Sequence, residues 1–381
     1  MKSAVIVDAI RTPVGKRGGQ LSDIHAADLA SLPLAAIMKR NDLDPALVED
    51  VILGCVTQSG EQSFNVARNA ALAAGFPEEV PGTTVDRMCG SSQQAAHFAA
   101  QGVIAGAYDV VIAGGVESMS RVPMGYNAQG PGMAFGPKMS DRYANGLVPQ
   151  GISAEMIADK WGLSRERLDS IAVDSHRRAT RATEEGLFES QILPVETPTG
   201  MATRDEGIRP NSTMETLAAL MPAFKPDGRV TAANSSQISD GAAALLIMSE
   251  EKAEELGLEP MARFHTFAVA GVDPVTMLTG PIPATYKAVV KAGMAVGDID
   301  LFEVNEAFAS VIGAWLDETG ACWEKTNVNG GAIALGHPLG CSGAKLMTTL
   351  VHEMKRTRSR WGLQTMCEGG GMANATILEL V

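Results

Sequence analysis

The sequence predicts an α/β fold made of two similar halves, and three observations carry that prediction. Short apolar runs alternate with helical patterns in strand–helix–strand order. The same order returns in the last third, where Asp300 to Asn305 lines up with Asp50 to Cys55 at an offset of 250 residues. Glycine is abundant, at 40 of 381 residues, as a fold with many tight turns requires. Apolar strands separated by helices imply βαβ units and a mainly parallel sheet, because crossover helices cover both sheet faces.

The elements follow in order. Ser3 to Ala9 reads as a buried strand, Ala26 to Lys39 as a helix and Asp50 to Val56 as a second strand. Asn65 to Ala74 is helical, Thr83 to Asp86 extended, and Ser91 to Ala105 a helix with alanines on its face. Asp109 to Gly115 is a third apolar run ending in glycine. In the second half, Arg263 to Val269 is strand-like, Thr285 to Ala292 helical, and Asp300 to Asn305 another strand. Ser342 to Arg356 matches Ser91 to Ala105, and Leu363 to Gly371 matches Asp109 to Gly115. Between the halves, residues 118–236 form an excursion. It is rich in Gly, Pro and Met at Val122 to Gly136 and then carries an amphipathic helix at Ser164 to Glu185. Ser239 to Glu250 reads as a strand rejoining the sheet. The expected division is a first half over 1–117 and 237–258, an insertion over 118–236 and a second half over 259–381.

Composition narrows the function. The net charge of −13 argues against a nucleic-acid surface, so an anionic ligand needs a local basic patch or helix N-termini. Five cysteines, an odd count without a Cys-x-x-Cys pair, argue against a disulfide framework or a zinc site. No apolar run reaches the roughly 18–20 residues of a membrane span. The chain enters its first strand without a basic-then-apolar leader, and the expectation is a cytoplasmic protein with no metal.

Asn327 to Ala344 holds His337 between two glycine clusters and before Pro338. Glycines let backbone approach a ligand, and proline fixes the chain beside the imidazole, so His337 suits a positioned general base. Its nucleophile is sought among the thiols. Cys89 lies in Asp86-Arg87-Met88-Cys89-Gly90-Ser91-Ser92, a strand end, a sharp turn and a helix start. That setting favours thiolate through the helix dipole and projects the side chain from the sheet. A small buried cysteine filling a core gap fits the same context. Cys367, in Thr365-Met366-Cys367-Glu368-Gly369-Gly370-Gly371, has glycine N–H groups beside it that suit an oxyanion hole. Cys55, Cys322 and Cys341 lack comparable settings, and His25, His97, His176, His265 and His352 read as surface or core histidines. Asn305, at a strand end in Asn305-Glu306-Ala307-Phe308, suits either a helix cap or a group that holds a water or polarises a carbonyl.

Together these segments resemble the thiolase family over nearly the whole chain. The matching runs are Val85 to Ser92, Gly114 to Ser120, Asn305 to Ala309, Asn327 to Ala344 and Cys367 to Gly371, with Ala9 to Gly15 like the family's N-terminus. The resemblance implies two duplicated βαβαβαββ halves in a five-layered αβαβα arrangement with an inserted loop domain. It implies CoA-dependent cleavage of a 3-ketoacyl-CoA to acetyl-CoA (or propionyl-CoA) and a shortened acyl-CoA, or the reverse Claisen condensation. On that basis Cys89 is acylated, His337 deprotonates it, and Cys367 acts as acid and base at the acetyl-CoA α-carbon. Asn305, through a water, and His337 form one oxyanion hole, and the N–H groups of Cys89 and Gly369 the other. Arg209 matches a phosphate-side position and Ser236 a serine near the pantetheine of CoA. No permanently bound cofactor is implied, and the assembly is a homodimer or homotetramer.

Three positions depart from the commonest family pattern: Gly90-Ser91-Ser92-Gln93-Gln94 after the cysteine, Asn234 to Gln237 without its usual glycine, and Pro149-Gln150-Gly151. They suggest a bacterial degradative thiolase acting on bulkier acyl groups, steroid side chains among them. The competing expectations are a biosynthetic acetoacetyl-CoA thiolase, a 3-ketoacyl synthase-like condensing enzyme and a non-catalytic acyl-CoA-binding member. A synthase would pair one cysteine with two histidines, or with a histidine and an asparagine, and Cys367 argues against it.

Overall fold

The computed structural model describes residues 2–381. Its strands are β1 (Ala4–Arg11), β2 (Gly15–Lys16), β3 (Asp50–Gly54), β4 (Gly82–Val85), β5 (Val110–Ser118), β6 (Val195–Thr197), β7 (Gly200–Ala202), β8 (Ser239–Ser249), β9 (Ala262–Gly271), β10 (Leu301–Val304), β11 (Trp361–Glu368) and β12 (Met372–Leu380). Its helices are α1 (Ala26–Arg40), α2 (Val66–Ala73), α3 (Ser91–Ala105), α4 (Pro137–Arg142), α5 (Gln150–Lys160), α6 (Arg165–Glu184), α7 (Met214–Ala218), α8 (Glu250–Glu255), α9 (Pro281–Ala292), α10 (Ala309–Thr319), α11 (Ala332–Leu335) and α12 (Ser342–Thr357).

The large sheet runs β10-β11-β12-β9-β1-β8-β5-β3-β4, with β2 beside β8. The two halves meet where β1 pairs antiparallel with β9, Val5 opposite Arg263 and Ile6 opposite Ala262. The expectation of a mainly parallel sheet needs correcting. Only β3–β4, β3–β5 and β10–β11 are parallel, and the other pairings are antiparallel. The physical reason is that β8 and β12 return beside their predecessors rather than crossing over. β12 itself, Met372 to Leu380, was not anticipated; its buried Asn374 and Thr376 break the apolar pattern.

β1 and β8 are buried at every position, because helices cover both faces of the sheet. α1 and α2 lie on one side of the first-half strands, and α3 and α12 pack against each other between the halves. α9 covers β9, β11 and β12 from the far side, joined by α10, whose Trp315 meets Phe302 of β10 edge to face at 5.3 Å. This is the five-layered arrangement. Parallel pairing sends the C-terminal ends of β3 and β4, and of β10 and β11, to one side each, and the candidate residues follow those ends.

Candidate active site

Cys89 sits in the turn between β4 and α3. Met88 before it has φ +47°, a left-handed conformation that costs a side-chain-bearing residue roughly 1 kcal/mol. Local hydrogen bonds hold the turn. Met88 N donates to Asp86 Oδ1 at 2.8 Å, Arg87 N to Ser91 Oγ at 2.9 Å, and Ser91 Oγ to Met88 O at 2.5 Å. The thiol is buried and pushed up to about 12, first by burial and then by the Glu368 charge. The N–H groups of Gly369 and of Cys89 itself work in the opposite direction and favour the thiolate. The helix start therefore does not make a resting thiolate, and ionisation needs a base.

His337 is 3% exposed, in the loop between α11 and α12. Its Nδ1 lies 2.5 Å from Ser342 Oγ, and that hydroxyl donates to Pro338 O at 2.9 Å. With its proton committed to Pro338, the hydroxyl can only accept from the ring. Nδ1 therefore carries the proton and Nε2 the lone pair. Asn305 Nδ2 lies 3.3 Å from that Nε2. Burial, with the nearby Lys345 cation second, pulls the imidazole down to about 3, so the ring is neutral. A buried thiol and a buried imidazole each resist charge alone. Thiolate and imidazolium formed together offset each other's desolvation.

Cys367 is the penultimate residue of β11 and is fully buried, its thiol pushed well up by burial first and by the Cys89 charge second. The Cys89 charge felt at Cys367 marks the two thiols as neighbours. Leu339, two residues past His337, packs in one apolar cluster with Cys89, Met119, Leu346 and Met366. Asn305 N donates to Thr365 O at 3.1 Å, tying the end of β10 to β11.

Two buried carboxylates hold the loops. Glu117 accepts from Val56 N at 2.9 Å, Thr57 N at 3.0 Å, Gln62 Nε2 at 2.8 Å and Gly340 N at 2.8 Å, pinning the histidine loop to the first half. Glu306 accepts from Ser175 Oγ at 2.6 Å, Asn327 Nδ2 at 2.9 Å and Ile333 N at 3.2 Å, joining the Asn305 turn to the same loop.

A cavity of about 760 Å³ opens onto His337 and Leu339. Met119, Met124, Phe224, Ala307, Phe308 and Ile238 form its apolar walls, with Gln150, Ser235 and Ser236 as polar points. Lys16, Arg17 and Arg209 also line it. Arg209 and Ser236 therefore share one cavity with His337. The Arg209 backbone N–H donates to His176 Nδ1 at 3.1 Å, which anchors the main chain there. A separate cavity of about 330 Å³, lined by Thr183, Phe188 and Arg204 among others, holds none of the candidate residues.

The thiolase N-terminal domain model matches residues 4–251 and the thiolase C-terminal domain model residues 258–380. The chain belongs to the thiolase family. It is 51% identical to a steroid 3-ketoacyl-CoA thiolase of Mycobacterium tuberculosis, covering all of this chain and 94% of that one. It is 47% identical to a 3-ketoacyl-CoA thiolase of Bacillus subtilis, with both chains covered in full. The crystal structure of the Bacillus anthracis acetyl-CoA acetyltransferase superposes with a TM-score of 0.91 at 40% identity, covering 100% of this chain and 99% of that one.

In this thiolase Cys55 and Cys341 are buried and Cys322 is exposed; of the candidate residues, His337, Arg209 and Ser236 line the cavity, whereas Cys89, Cys367, Asn305 and Gly369 do not. His97 is buried and bonded through Nε2 to Thr376 Oγ1 at 2.7 Å. Three residues at the site escaped the sequence reading. Ser342 reads as an ordinary helix-start serine. Lys345, one turn on and 1% exposed, donates to Gly336 O at 3.2 Å. Glu368 lies between the Cys367 thiol and Gly369, and the available signal was an acid inside an otherwise apolar strand end.

Proposed function

We propose that this thiolase is a degradative acyltransferase that cleaves a 3-ketoacyl-CoA with free CoA. Its relatives named 3-ketoacyl-CoA thiolase, at 47–51% identity over the whole chain, support that reading over the biosynthetic one. Cys89 passes its proton to His337 Nε2 and attacks the 3-keto carbon. The C2–C3 bond breaks, and its electron pair goes to the enolate of acetyl-CoA. Cys367 gives C2 a proton and becomes a thiolate, and acetyl-CoA leaves. The incoming CoA thiol returns a proton to Cys367 and attacks the acyl-Cys89 thioester. His337 then restores the proton to Cys89, and all protons balance.

The observation that carries this reading is His337, its Nε2 3.3 Å from Asn305 Nδ2, opening onto the cavity that Arg209 and Ser236 also line; the N–H groups of Gly369 and Cys89 favour the Cys89 thiolate. The same donors suit an oxyanion on the thioester carbonyl during acyl transfer. Asn305 Nδ2 and His337 Nε2, 3.3 Å apart, are the proposed second oxyanion site, with a water between Asn305 and substrate. Arg209, aided by Lys16 and Arg17, is assigned to the CoA phosphates, and Ser236 to the pantetheine. The methionine and phenylalanine walls favour acyl groups bulkier than acetoacetyl. The insertion over 118–236, a homo-oligomeric state and a cytoplasmic location complete the reading. Cys89→Ala should abolish thiolysis while the circular dichroism spectrum is retained. Normal turnover in that variant would remove Cys89 from its role.

A further inference from the structure

Glu368 is the most conspicuous buried group that the mechanism leaves unused. It is 0% exposed, and neither carboxylate oxygen has a hydrogen-bond partner. Its Oε1 lies against the backbone of Gly90, next to the nucleophile, where a Cβ on residue 90 would stand 2.0 Å away. The groups around it are also unsatisfied. Asn374 donates through Nδ2 to Gly90 O at 3.0 Å, but its Oδ1 is unpartnered, as is Arg87 Nε.

An ionised carboxylate without a single donor is costly to bury, whereas a neutral carboxylic acid needs only one acceptor for its proton. The orphaned Asn374 Oδ1 is a neutral oxygen on the amide whose nitrogen bonds the Gly90 carbonyl. We propose that Glu368 is a positioning residue of the nucleophile turn, held as the uncharged acid so that Cys89 and Cys367 can each carry negative charge in turn.

The electrostatics agree with the geometry. Burial raises Glu368 to about 8, and Arg87 opposes that rise. When Glu368 does ionise, its charge raises both Cys89 and Cys367. The charged groups acting on Cys89 are Glu368 from β11 and Glu117 from β5, with Arg87 of the nucleophile turn beside Glu368. The neutral His337 on the facing loop adds no charge. Glu368 therefore sets the alkaline limit at which the nucleophile can form.

The inference rests on Cys89 as the nucleophile, so its test reads Cys89 directly and not turnover. The rate of iodoacetamide alkylation, mapped to Cys89 by mass spectrometry, is followed against pH in the full chain. Glu368→Gln and Glu368→Met both remove the charge and keep the volume. Each should alkylate roughly threefold faster or more at about pH 9 to 10, the equivalent of about half a unit in the thiol's ionisation. An unchanged rate there in either folded variant overturns the proposal. The unmodified enzyme supplies a check independent of how the variants fold. Its log rate should rise with a slope below one through the Glu368 ionisation, because the two titrations are coupled. A uniform unit slope from roughly pH 6 to 10 equally overturns it. A Cys89→Ala enzyme that still turned over would instead remove the proposed catalytic role and leave this titration result standing.

Discussion

Ser342 Oγ accepts the His337 Nδ1 proton at 2.5 Å and donates its own to Pro338 O at 2.9 Å. One hydroxyl at the start of α12 thus fixes both the tautomer and the ring plane of the proposed base, and leaves the lone pair on Nε2. In Ser342→Ala the ring loses its one Nδ1 partner among the described residues, and the two tautomers mix. The expected result is a fall of about tenfold or more in kcat, within the range general-base catalysis supplies, with a smaller change in KM. Steady-state kinetics with acetoacetyl-CoA and CoA check it. Full activity in Ser342→Ala would assign the tautomer to another group.

Gly90 is required for space. An alanine there would bring its Cβ to 2.0 Å from Glu368 Oε1 and 2.8 Å from Asn374 Nδ2, inside a turn already carrying a left-handed Met88. Gly90→Ala should destabilise the fold by about 1–3 kcal/mol through overpacking and shift Cys89 away from its N–H donors. Denaturant midpoints measure the first effect. The acyl-enzyme burst measures the second, and it should shrink even where the protein remains folded.

The cations lining the cavity are not equivalent. Lys16 is paired with Glu206 at 3.2 Å, whereas Arg209 has no ion pair among the described residues. Removing Arg209 should therefore cost more CoA affinity than removing Lys16. A lost charge-assisted contact of about 1.5–3 kcal/mol predicts a rise of roughly tenfold or more in KM for CoA in Arg209→Ala. The effect should weaken as salt rises. Equal KM values for Arg209→Ala and Lys16→Ala would place the phosphates elsewhere.

Much of this was legible in the sequence because apolar runs and glycine clusters are local signals. β1, β3 and β10 were found from their valine, isoleucine and leucine content, and His337 from the glycines that let its loop run buried. What stayed hidden depended on partners distant in the chain. β12 carries Thr376, whose hydroxyl meets Gln93 Nε2 at 2.8 Å and His97 Nε2 at 2.7 Å on α3, so polar residues are buried where a pattern expects apolar ones. Ser342 was hidden because a helix-start serine ordinarily caps its own helix. Strand direction was misjudged because alternation of strands and helices reports covered faces, not how each strand returns to the sheet.

His97 offers a pH test of that buried polar seam. Burial, followed by the Arg87 and Lys291 charges, lowers its imidazole to about 3 in the fold, against an ordinary value of 6.5. Between these values the unfolded chain binds a proton that the folded chain refuses, so stability rises with pH and is lost on acidification through that window. At 1% exposure, solvent does little to relieve that cost. His97→Gln keeps a side chain able to bond Thr376 and removes the titration. Between about pH 4 and 6 its unfolding free energy should depend on pH less steeply than that of the parent, by about 1.4 kcal/mol per unit at most. Urea titrations at several pH values give both slopes. The slopes are compared within each protein, so any uniform loss of stability from the substitution cancels. Identical slopes would mean that His97 is protonated in the fold and that Thr376 accepts from the ring.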